Sequence, residues 1–122
     1  MLYFALRMPV VFVIARDWTL RAGVRAELRE ISVDALGMEN ADDAGRALGA
    51  GHMPSVVVLE ATAGLADDPA IRQLVQRVPT VLIASRTETV ELPRVAAVLY
   101  RPVSVGEVVR EVRKVLERGH SA

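Results

Sequence analysis

The sequence contains no cysteine. Disulfides, thiolate metal sites and thiol nucleophiles are therefore excluded. Histidine is nearly absent: His52 and His120 are the only two, and they lie far apart in the chain. That spacing argues against a histidine-based metal centre or a catalytic triad. Net charge is missing as well, since 15 basic side chains balance 15 acidic ones. A chain with no basic excess has no general electrostatic case for binding nucleic acid or an anionic membrane. No apolar run is long enough to cross a bilayer. The most apolar start, Met1 to Ala15, is interrupted by Arg7 and Pro9 and is followed by no small-residue cleavage site, so a signal peptide is a poor reading. A cytoplasmic protein is the expectation. Internal repeats, linkers and low-complexity tracts are also missing.

What is present is apolar and regularly spaced. At 122 residues and 52% hydrophobic, with a mean hydropathy of +0.29, the chain has the material for one compact domain over 1–122. Residues 1–8 form an apolar extension that could be an extra strand, a packing arm, a partner-binding segment or a lead without structure. Residues 119–122 form a tail. Between them the organising stretch is Ser55-Val56-Val57-Val58-Leu59-Glu60. It is a run rich in β-branched residues without polar alternation, the pattern of a strand covered on both faces. Pro54 precedes it where a missing N–H costs little. Glu60 stands at its carboxyl end, and in open α/β sheets the site lies outside the carboxyl ends of the strands.

Four more strands are expected at Val10–Ile14, Val33–Met38, Thr80–Ala84 and Val95–Tyr100. Helical spacing falls between them. Leu20, Val24, Leu28 and Ile31 mark a first helix capped by Asp17. Ala44, Ala47 and Leu48 mark a second, capped by Asn40 or Asp42 and ended by Gly49 and Gly51. Ile71, Leu74, Val75 and Val78 mark a third, opened by Asp67-Asp68-Pro69. Ser104 and Glu107 form a capping box for the last, with Val105, Val108, Val109, Val112, Val115 and Leu116 on its apolar side. Residues 85–93 are polar and hold at most a short helix. Tyr100 is expected to pack, and Trp18 to lie as a lid on the first helix. Alternating strands and amphipathic helices imply a parallel sheet with helices on both faces. The turn after the first strand is Ala15-Arg16-Asp17. It has no glycine, so the dinucleotide fingerprint is missing, as are a P-loop, a phosphate loop for a flavin nucleotide and a nucleophile elbow. No cofactor is expected.

From about Pro9 to Gly119 the chain resembles a response-regulator receiver domain. Four segments carry the likeness in order: Val10–Ile14 with its turn, Pro54–Glu60, Pro79–Ser85, and Tyr100-Arg101-Pro102-Val103. The resemblance implies a flavodoxin-like (βα)5 three-layer sandwich with strand order 2-1-3-4-5. It also implies where the phosphorylation machinery should lie, and there the sequence departs. The magnesium-holding acidic pair falls on Ala15 and Arg16, with Asp17 next in line. The phosphoacceptor falls on Glu60, the hydroxyl position on Ala84 with Ser85 one place late, and the lysine on Arg101. The aromatic position of the fifth strand falls on Val98. The segment between Ala84 and Arg101 is several residues short, so the fourth helix should be short or missing. The expectation is a pseudo-receiver, not an enzyme, in which Glu60 makes a bidentate pair with Arg101 and Arg16 takes the place of the cation. It would act through a protein partner, with a second copy of the chain among the candidates. The alternatives are a module that grips a small anion with Arg16, Glu60 and Arg101, and an atypical phosphorelay receiver.

Overall fold

A computed structural model describes residues 8–62 and 64–121. The apolar extension falls outside the described residues except for Met8, which is exposed. The elements in chain order are β1 (Val10–Ile14), α1 (Trp18–Glu30), β2 (Asp34–Met38), α2 (Ala41–Gly49), β3 (Val56–Glu60), α3 (Pro69–Arg77), β4 (Thr80–Ala84), β5 (Val95–Tyr100) and α4 (Val105–Ser121). All five strands are parallel and are ordered β2-β1-β3-β4-β5. This is the flavodoxin-like order expected from the sequence.

The continuous apolar runs of β1, β3 and β4 are central, with both of their faces covered. Every residue of β3 and of β4 is buried. On one face Val11, Val13, Val56, Val58, Val81 and Ile83 pack under α1 and α4. On the other, Phe12, Ile14, Val57, Leu59 and Leu82 pack under α2 and α3. Local signals set the helix starts. Asp17 accepts from the Leu20 N–H at 3.1 Å, Asn40 from Asp43 at 2.9 Å, and Asp68 from Ala70 at 2.9 Å. Ser104 and Glu107 exchange side-chain-to-backbone bonds at 3.1 Å each, the reciprocal capping box.

Gly23 does more than weaken α1. A Cβ there would lie 2.6 Å from Cγ2 of Val105, so the missing side chain lets α1 and α4 approach.

Several expectations need correction. Ile31 is not on the buried stripe: α1 ends at Glu30, and Ile31 is the exposed C-cap. Val33 is buried but precedes β2, its N–H turned back to Leu28. The last helix runs through Gly119 to Ser121, so the tail does not begin at 119. Trp18 is no lid; as the first residue of α1 it is 68% exposed. Tyr100 is not packed inside but is 44% exposed, with the Arg86 guanidinium 5.1 Å from its ring centroid.

Between β4 and β5 the helix is missing. Residues 85–94 form turns and irregular chain. Val90 and Leu92 from this loop pack against the α2–α3 side of the sheet and supply part of what a helix would cover.

Candidate functional site

The parallel sheet delivers the ends of β1, β3, β4 and β5 to one rim. Glu60 is the last residue of β3, and its side chain is 8% exposed. A buried carboxylate must be matched by donors or charge. One oxygen, Oε1, accepts from the backbone N–H of Arg16 at 2.8 Å and of Asp17 at 3.1 Å. Both donors belong to the turn between β1 and α1. Asp17 is the N-cap of α1, so its N–H has no intrahelical partner and is free to donate to Glu60. The other oxygen, Oε2, lies 3.7 Å from Nε of Arg101.

Arg101 follows β5 directly and spans three partners. Its Nη2 donates to the Ala61 carbonyl, and its Nη1 lies 3.8 Å from Oε1 of Glu88. The Arg101 backbone N–H donates to the Ala84 carbonyl at 2.9 Å, which joins the ends of β4 and β5. The Arg101–Pro102 peptide is cis.

The expected residues are thus brought together, but by different atoms. Arg16 serves Glu60 through its backbone. Its exposed guanidinium forms no ion pair among the described residues. The expected bidentate fork is replaced by a single longer contact, because the rest of the guanidinium is committed to Ala61 and Glu88. Asp17 caps α1. Ala84 is a buried methyl at the end of β4. Ser85 faces the loop, its hydroxyl 3.0 Å from that of Thr87.

Glu88 is the participant that sequence reasoning missed. It accepts from the Ser85 N–H at 3.1 Å, and its own N–H returns to the Ser85 carbonyl at 3.1 Å. Hydrogen bonding from the Ser85 hydroxyl and then its N–H, with Arg101 nearby, holds the Glu88 carboxyl below the usual glutamate range. The signal was available: Ser85 and Glu88 have the same spacing as the Ser104–Glu107 capping box.

Cavities open at this rim. One of about 420 Å³ is lined by Asp17, Leu20, Glu60, Arg101, Pro102 and Val103. A larger one, about 510 Å³, lies between the segment after β3 and the β4–β5 loop, with Asp67, Glu88 and Glu91 among its acidic walls.

No family model matches the chain, and no curated protein does. Solved structures do. A response regulator receiver protein from Burkholderia phymatum superposes with a TM-score of 0.70 at 20% identity, covering 89% of this chain and 95% of its own. The signal receiver domain of an HD domain-containing protein from Pseudomonas fluorescens Pf-5 gives 0.75 at 17% identity, covering 95% and 100%. The chain has the fold of a response-regulator receiver domain. A response regulator from Thermotoga maritima matches it too, with a TM-score of 0.70 at 12% identity over 91% and 99% of the two chains.

On the receiver fold, Glu60 stands at the carboxyl end of the third strand and Arg101 just beyond the fifth. Magnesium, which the receiver resemblance implies, does not suit the groups found here. It is a hard cation that takes carboxylate and water oxygens. One Glu60 oxygen is held by two N–H groups and the other faces a guanidinium. Oδ1 of Asp17 is used in capping. Among the described residues no group of three or more acidic, histidine or cysteine side chains converges on a common point. No helix among them is long and apolar enough to cross a membrane.

Proposed function

We propose that the chain is a pseudo-receiver: a regulatory module of the cytoplasm that works through contact with a protein partner and carries out no phosphoryl transfer. The observation behind this reading is the engagement of Glu60. Its carboxylate already holds the N–H pair of Arg16 and Asp17 and the cation of Arg101. A phosphoryl acceptor needs a free oxygen and a neutralising metal beside it. Here the Glu60 oxygens are engaged by the protein's own groups.

In this reading Glu60 imitates an occupied site. It presents a fixed negative charge where the receiver fold would place a transient one, and Arg101 relays it to the β4–β5 loop through Glu88. The alternative of a small-anion module has less support, because the inward N–H groups that would greet an anion are filled by Glu60.

A thermal-shift series with magnesium, acetyl phosphate and beryllofluoride, followed by intact-mass measurement, tests the reading. The expected result is an unchanged melting temperature and an unchanged mass. A magnesium-dependent shift with beryllofluoride, or a mass gain of one phosphoryl group after acetyl phosphate, would overturn it. Once a partner is in hand, Glu60→Gln separates mimicry from simple structure. Titration calorimetry should show weaker binding, and equal affinity would end the claim of mimicry.

A further inference from the structure

The sheet has two edges, and the chain treats them differently. In a parallel ladder alternate residues turn both N–H and C=O toward the same neighbour. The Asp34 N–H bonds to Pro9, so Asp34, Leu36 and Met38 face β1 and the backbone of Ala35 and Gly37 faces outward. That edge is covered. Arg25 reaches across from α1 and donates to the Ala35 carbonyl at 3.3 Å. The stems of Arg21 and Arg25 fill the space beside Gly37, where a Cβ would meet Arg25 Cδ at 2.6 Å.

Among the described residues the β5 edge has no such cover. Because the Arg101 N–H bonds to Ala84, Leu99 and Ala97 also face β4, and Val98 and Tyr100 turn their N–H and C=O to the open side. Their side chains rise on the face of Leu82 and Ala84, where no helix follows β4. Val98 is 41% exposed and Tyr100 44%. An open row of backbone groups is a template for another strand, and proteins normally blunt such edges. Arginines mark both ends of the open row. Arg94 is exposed just before β5, and Arg86 lies over Tyr100 at its far end. Neither pairs with a carboxylate among the described residues.

We propose that the open edge of β5 is a docking site for an extended segment of a partner protein, apolar in its middle and acidic at its ends. The segment extends the sheet by backbone hydrogen bonds to Val98 and Tyr100. Its apolar side chains cover those two residues, and its carboxylates meet Arg94 and Arg86. The charge pattern selects against a second copy of this chain. Two-fold pairing about the middle of β5 would set Arg94 of each copy beside the Arg86 and Arg101 end of the other, cation against cation, and like charges facing across strands are destabilising. The inference goes beyond the pseudo-receiver reading and does not depend on Glu60.

The test uses the full chain and a peptide of about six residues, valine alternating with threonine between terminal aspartates, against the same peptide ended by lysines. Titration followed by amide resonances should protect the Val98 and Tyr100 N–H groups from exchange with the aspartate peptide only. Val98→Pro should weaken binding about tenfold, since it removes one outward donor and leaves the ladder to β4 intact. The double change Arg86→Glu with Arg94→Glu, on exposed positions that do not burden folding, should reverse the preference toward the lysine peptide. Equal binding of the two peptides, or no protection at Val98 and Tyr100, overturns the proposal. So does concentration-dependent self-association in sedimentation that Val98→Pro abolishes, because that outcome gives the edge to a second copy.

Discussion

Glu60 and Arg16 meet at 2.8 Å through a carboxylate oxygen and a backbone N–H, although the two residues are also an acid and a base by side chain. The contact ties the end of β3 to the turn that opens α1. Backbone geometry, not side-chain charge, positions the acid, and Arg16 leaves its guanidinium in solvent.

This geometry ranks two substitutions. Glu60→Ala strands the N–H groups of Arg16 and Asp17 in a part-buried place and should cost about 2 kcal/mol. Glu60→Gln keeps a carbonyl oxygen for those donors and loses only the charge facing Arg101, so it should cost about 1 kcal/mol. Urea unfolding of the two variants checks the order. Equal losses would show that the N–H contacts contribute nothing.

Arg101 holds three groups from two segments, and lysine cannot. Its side chain is 35% exposed, so solvent screens the pairing and the ion-pair share of its stability is small. Both Arg101→Met and Arg101→Lys should lose about 1–2 kcal/mol, mainly through the carbonyl of Ala61 and the unbalanced Glu60. Amide exchange should quicken in the β4–β5 loop in both variants. A lysine variant as stable as the parent would remove the argument from fork geometry.

Gly23→Ala would ordinarily strengthen a helix by about 1 kcal/mol. Here the new methyl collides with stiff, β-branched Val105, and the net change should be destabilising by about 1–2 kcal/mol. Adding Val105→Ala should make the Gly23 change favourable again. The double-mutant cycle, read by thermal unfolding, should therefore show strong coupling between the two positions.

Acid should loosen the β4–β5 loop before it unfolds the sheet. Hydrogen bonds from Ser85 hold the Glu88 carboxyl below its usual range in the folded chain. A depressed acid contributes stability that is complete above its unfolded value and is lost as pH falls through its folded value. The loss therefore comes below the ordinary glutamate range. The Ser85 amide resonance, followed against pH, should move with Glu88 and should stop moving in Glu88→Gln.

Much of this was legible in the chain itself. The uninterrupted apolar runs Val10–Ile14 and Val56–Leu59 read as central strands because a doubly covered strand has no use for polar alternation, although the apolar run Val95–Leu99 became an edge. Asp17, Asn40 or Asp42, Asp67-Asp68 and Ser104 announced the helix starts, since capping is a local bond between near neighbours, and the fold selected Asn40 and Asp68. The shortened segment before β5 was visible only against the receiver resemblance. Ile31 misled because periodicity alone does not register where a helix stops.

What sequence determined was which residue types reach the rim: an acid after β3, an arginine after β5, and no acidic pair after β1. What tertiary structure decided was which of their atoms meet. A guanidinium offers several donors, and a backbone N–H offers one regardless of the side chain it carries. Only the folded register of β1, β3 and β5 could assign Glu60 to the backbone of Arg16 and Asp17, share Arg101 with Ala61 and Glu88, and leave the outer edge of β5 open. The contacts of Glu60 with Arg16 and Asp17, and of Arg101 with Ala61, join residues 40 or more positions apart, which no local pattern encodes.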